Sequence, residues 1–150
     1  MAETLTVNKA DVLKEVNKTT GYIGTKMEED KSAYGRIATT DENDEILNRF
    51  WDEACTAATD VFKPFISSFS SDITKYEVNL NMPSSFDSNL TPSMVISMFS
   101  YFVSYIISRW NKFSNKAEVE SYAADALGAM DDVRKKLYWR KKPTRVAPTI

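Results

Sequence analysis

Residues 90–108 carry no charged side chain. A span of 19 residues without Asp, Glu, Lys or Arg has to hide much of its surface from water, in a protein core or in a bilayer. Thr91 followed by Pro92 marks a helix start, with a capping residue before a proline at the first helical position, and the helix is expected to run to about Phe113. Ser93, Ser97, Ser100, Ser104 and Ser108 follow one another at steps of four, three, four and four. They form a stripe of small side chains along which a second helix can approach closely. Ser, Thr and Pro fill seven of the 19 positions, which leaves the span weakly apolar for lipid. The span is therefore expected to be the central helix of a bundle or an oligomer, with no membrane.

Three more helices are expected around it. In residues 7–12 Asn8 can cap, Asp11 sits in the first turn, and Val7 can staple onto Val12. Val12, Leu13 and Val16 give that helix an apolar face, and Thr19-Thr20-Gly21 is expected to end it. Thr39 and Glu42 form a T-x-x-E capping pattern, and Asp41, Glu42, Asp44 and Glu45 crowd the positive end of a second helix. Ile46, Leu47, Phe50, Trp51, Ala54, Ala57, Ala58, Val61, Phe62 and Phe65 follow at helical spacing, with Pro64 kinking or dividing the helix and residues 67–71 closing it. Asn115 and Glu118 repeat the capping pattern before the last helix. Its apolar face is Val119, Tyr122, Ala123, Ala126, Leu127, Met130, Val133 and Leu137.

Tyr76, Val78, Leu80 and Met82 alternate with Glu77, Asn79 and Asn81, the period of a half-buried strand. One strand cannot satisfy its own backbone, and no second strand stands out. Pairing with a neighbouring copy is expected, which makes Tyr76, Val78, Leu80 and Met82 candidate subunit contacts. The fold class is thus mainly all-α: a four-helix bundle-like domain over residues 1–142 with one strand-like segment, and an extended basic tail over 143–150 after Pro143.

Composition narrows the chemistry. With no histidine in 150 residues, the commonest general base, the commonest metal ligand and the Ser-His and Cys-His pairs are excluded. Cys55 is the sole cysteine, so neither an internal disulfide nor a Cys-x-x-Cys zinc pattern can form. The four glycines make no phosphate-binding loop. Asp131-Asp132 and the acids at 41–45 are the remaining candidates for chemistry, but adjacent carboxylates on a helix do not share a face. A solvated helix surface accounts for them. No enzyme and no cofactor or metal is expected. The N-terminus lacks an apolar leader run, so a cytoplasmic location is expected.

Charge is unevenly placed. The net charge of −2 divides into 12 basic against 21 acidic residues over 1–133, and seven basic with no acidic residues over 134–145. In that arm Arg134, Lys135, Lys136, Arg140, Lys141, Lys142 and Arg145 surround Tyr138 and Trp139. Such an arm can dock on another protein, where Trp, Tyr and Arg commonly anchor interfaces. It can also grip phosphates and stack on bases. Alternatively, it is a helix end with dipole-favoured charge whose aromatics fold onto the domain. The acidic body would repel DNA, so nucleic-acid contact would be confined to the arm.

An acid-led helix at 41–66, an extended segment at 76–82, an uncharged helix at 92–113 and a last helix ending in a basic arm at 116–145 occur in that order. The order resembles that of the helical head-to-tail connector (adaptor, or neck ring) proteins of tailed bacteriophages. The stretches Arg36-Ile-Ala-Thr-Thr-Asp-Glu-Asn-Asp-Glu45 and Met130-Asp-Asp-Val-Arg-Lys-Lys-Leu-Tyr-Trp-Arg-Lys-Lys-Pro-Thr-Arg145 resemble phage proteins of gut Bacteroides-type hosts. The resemblance covers residues 36–145 and carries no diagnostic motif. It implies a virion protein: a homo-oligomeric ring of about a dozen copies that joins the portal to the tail or other neck proteins and lines the DNA channel. It further implies a terminal arm docked on the portal or a neighbouring ring, here the arm residues named above, and no catalytic residues. The contrasting expectation is a small nucleic-acid-binding module using the same arm.

Overall fold

At the N-terminus, with Leu5 and Val7 inward and Thr4 outward, residues 2–8 form a strand that the sequence pattern did not indicate, directly before the helix start expected at Asn8. The computed structural model describes residues 2–26, 39, 43–71, 74–114 and 116–142. In chain order these form β1 (Ala2–Asn8), α1 (Lys9–Lys26), α2 (Asp44–Phe62), β2 (Ile66–Ser71), β3 (Lys75–Asn81), α3 (Thr91–Ser114) and α4 (Val119–Tyr138). Short 3-10 turns at Ser88–Leu90 and Lys116–Glu118 lead into the last two helices. The described residues are mostly helical, with four helices and a small three-stranded sheet.

The all-α expectation is corrected by that sheet. Its order is β1-β3-β2, antiparallel throughout, so β3 is central and paired on both sides within the chain. Val78 lies opposite Leu5, and Tyr76 opposite Val7. Both flanking strands are edges with little apolar content. Residues 67–71, expected to close a helix, lie in β2, which carries a register shift between Ile66 and Ser68. Pairing with β3, not local pattern, makes these segments strands.

Helix ends also differ from expectation. α1 runs through Gly21 to Lys26. The hydroxyl of buried Thr20 donates to Val16 O (2.8 Å), and Thr20 Oγ1 accepts from Thr39 N–H (2.9 Å). Thr39 is therefore bound to α1 instead of capping α2, which starts at Asp44 after Asn43 with no side-chain cap bond. Glu42 and Asn115 lie outside the described residues. α2 stops at Phe62, so Pro64 sits in the turn beyond it and no kink arises. At the start of α3 the Thr91 hydroxyl reaches Glu3 Oε2 (3.0 Å), tying the helix to β1.

α3 is the centre. Met94, Met98, Phe102 and Ile106 are buried in one cluster with Leu5, Val7, Tyr76, Val78 and Leu80 of the sheet and Leu47, Trp51, Ala54, Ala58 and Phe62 of α2. Phe102 meets Trp51 (ring centroids 4.6 Å), Tyr101 (5.3 Å) and Tyr76 (5.6 Å). Among the described residues, 88–113 form the one helical span long and apolar enough to cross a membrane. Here the face of that span carrying Met94, Met98, Phe102 and Ile106 is enclosed by the sheet and its neighbouring helices.

Candidate functional site

α4 follows from its sequence: Ala126, Met130, Val133 and Leu137 recur at helical spacing and are buried. The helix packs against α3, where two serines of the stripe bond charged groups of α4. Ser97 Oγ donates to Asp132 Oδ2 (2.6 Å), and Lys136 Nζ donates to Asp132 Oδ2 and Ser93 Oγ. These bonds, Lys136 first, hold the Asp132 carboxyl below its ordinary range. The stripe thus does more than allow close approach: it accepts one charge of α4 and donates to another.

Beyond this network α4 carries its basic, aromatic end outward. Trp139 is 60 % exposed and Tyr138 54 %, while Lys135, Lys141 and Lys142 are exposed. The end is fixed in place. Lys141 N–H donates to Ser85 O (2.8 Å), and Arg140 Nη1 donates to the carbonyls of Leu137 and Trp139 (2.8 Å each), covering the open end of the helix. Tyr138 packs edge-on against Phe65 (5.2 Å), and the Arg140 guanidinium lies over the same ring (5.8 Å). Leu90, Lys135, Lys136 and Trp139 line an apolar hollow of about 230 Å³ beside it.

The nominated residues therefore divide. Lys136 and Arg140 serve the fold, as half-buried partners of α3, Phe65 and the helix end. Arg134 pairs with Asp131 on the surface (2.9 Å). Lys135, Tyr138, Trp139, Lys141 and Lys142 share the outward end, and Arg145 lies outside the described residues. Tyr76, Val78, Leu80 and Met82 are fully buried, and the Tyr76 hydroxyl is hydrogen-bonded to Thr59 Oγ1 (2.8 Å). The missing strand partner was the ground for reading these four as subunit contacts, and in-chain pairing removes it.

A groove lies where no sequence motif marks one. α2 and α4 both pack on α3 but hardly on each other, and between them lies a cleft of about 480 Å³. Tyr101 and Tyr105 form its floor, Ala57 and Val61 one wall, and Leu127 and Met130 the other. Arg109 on the rim donates to the Tyr105 hydroxyl (3.1 and 3.2 Å) and lies 3.6 Å from Glu53 Oε2. The Tyr105 bond leads in raising the guanidinium's pKa. The available signal was an apolar face on α4 too wide for one neighbour: Leu127, assigned to that face, is 69 % exposed.

The core's reactive groups are turned inward. Cys55 is buried. Burial pushes the Tyr76 hydroxyl up to about 12 and the Tyr101 hydroxyl higher still, so both are neutral hydrogen-bonding groups at physiological pH. Tyr101 donates to Ala54 O (3.1 Å). Among the described residues no group of three His, Cys, Asp or Glu could hold a metal ion. No protein-family model matches the chain, and neither a curated protein nor a solved structure matches it.

Proposed function

We propose that this chain is a non-enzymatic structural subunit that joins a larger assembly by docking the basic, aromatic end of α4 on an acidic protein surface. The observation that carries it is the exposure of Trp139 and Tyr138 beside Lys135, Lys141 and Lys142 on a helix end fastened to Ser85 and Phe65. Tyr138, already held against Phe65, loses little side-chain freedom on binding. Two large rings among positive charges suit an interface anchor. On the sequence resemblance, the assembly is the neck of a phage virion, put together in the host cytoplasm: a ring of about a dozen copies between the portal and the tail, around the DNA channel. The acidic body of a neighbouring copy, with 21 acidic against 12 basic residues over 1–133, is one such acidic surface, so with β3 enclosed the contact between copies in that ring runs through the α4 end.

The same end could grip DNA, and the two uses separate under substitution. Duplex DNA affinity is measured by fluorescence anisotropy at low and moderate salt for the native chain and the Tyr138→Ala, Trp139→Ala double variant. Docking on protein leaves DNA affinity weak, salt-limited and unchanged by the variant. A drop in DNA affinity of about tenfold or more, as expected where bases stack on the rings, would move the assignment to a nucleic-acid module.

A further inference from the structure

The wall of the groove has a symmetry of its own. Glu120, Leu127 and Arg134 are spaced seven residues apart, which is close to two turns, so they fall nearly on one line along α4. All three are exposed, as is Ala124 between them. Reversed about Leu127, the line reads the same with its charges exchanged: Glu120 falls opposite Arg134, and Arg134 opposite Glu120. The helix is skewed in the same sense on either side of Leu127: residues 116–126 hold three acids and one base, and residues 128–138 hold three bases and two acids.

We infer that this face of α4 binds a second copy of the chain, the two α4 helices running antiparallel about a two-fold axis at Leu127. Antiparallel alignment sets the acidic half of each helix against the basic half of the other and opposes the two helix dipoles. Parallel alignment would set like against like. The apolar centre of the contact is Leu127, which meets its own copy on the axis. Ala123 and Ala124 flank it on α4 with small side chains, so the helices can approach one another. A leucine left 69 % exposed at the mouth of an apolar cleft gains the burial that its own chain does not provide. A two-fold contact closes on itself, so this pairing is a state of the free chain and does not build a ring. It is independent of docking through Trp139.

Sedimentation equilibrium of the full chain tests it at micromolar concentrations. The native chain is expected to be dimeric, and Leu127→Glu monomeric with an unchanged circular dichroism spectrum, because the site is exposed in the monomer. Glu120→Arg and Arg134→Glu should each weaken the dimer by about tenfold or more, and the two together in one chain should restore it, because the facing charges are complementary again. Leu127→Cys should form a disulfide-linked dimer on mild oxidation, since a residue on the axis meets its own copy. A native monomer at about 100 µM, a concentration well above the typical affinity of a specific pair, overturns the inference. So does a dimer indifferent to Leu127→Glu, or a double charge variant no better than the single ones.

Discussion

Replacing Phe102 by Ala should be among the most damaging single changes to this fold. Phe102 is fully buried and touches Trp51, Tyr101 and Tyr76, one ring from α2, one from its own helix and one from the central strand. Deleting a buried phenylalanine costs about 3–5 kcal/mol through lost transfer energy and the cavity left behind. With three aromatic neighbours losing contact, the upper part of that range, about 4–5 kcal/mol, applies. For a chain of this length that corresponds to a fall in Tm of roughly 10–20 °C, a large share of the about 5–15 kcal/mol that holds a typical domain. Urea titration followed by far-UV circular dichroism and tryptophan fluorescence measures it. Ile96→Ala on the same helix is the control. Ile96 is 68 % exposed and should cost less than about 1 kcal/mol. Equal losses for the two variants would mean that α3 does not present the Phe102 face to the sheet and α2, and the packing described for the whole core would be wrong.

Thr20→Val should cost about 1–3 kcal/mol in the same titration, because it leaves the buried Thr39 N–H without its acceptor; Thr20→Ser should cost much less. Gly128 is helical and exposed, and a Cβ there would meet nothing within 4 Å. Gly128→Ala should therefore raise stability by about 0.5–1 kcal/mol, and a loss would show a contact that the structure lacks. The carboxyl of Asp132 is depressed in the folded chain, so its stabilising contribution is complete above the ordinary carboxylate pKa of about 4 and is lost as pH falls through the lower folded value. Asp132→Asn should flatten the acid limb of the stability–pH curve below about pH 4 and leave its slope near neutrality unchanged. A steeper acid limb in the variant would contradict the bonds from Lys136 and Ser97.

The parts of the fold legible in the sequence were those whose pattern is local. The core faces of α2 and α3 and the buried stripe of α4 recur at helical spacing because each helix buries one continuous side. β3 was visible because Tyr76, Val78 and Leu80 all point into the core. β1 and β2 were not, since an edge strand needs few apolar residues and owes its conformation to the strand beside it. Thr39 looked like a helix cap because a hydroxyl three residues before a glutamate fits that role. Its actual partners, Thr20 and Asn17, are far away in sequence. At the candidate site the basic, aromatic cluster could be read directly. What could not be read was that Lys136 and Arg140 are spent on the fold and that Lys135, Tyr138, Trp139, Lys141 and Lys142 remain outside. That division depends on which side of α4 meets α3. The groove was hidden for the same reason, because it exists only where two helices fail to touch.

Sedimentation velocity of the purified chain without nucleic acid, native beside the Tyr138→Ala, Trp139→Ala variant, tests most directly whether this protein assembles through the end of α4. Assembly through that end requires that the native chain form a closed species much larger than a dimer as concentration rises, and that the variant, equally folded by circular dichroism, stop at the dimer. Identical distributions for the two proteins, or large species that form only when duplex DNA is added, would contradict it.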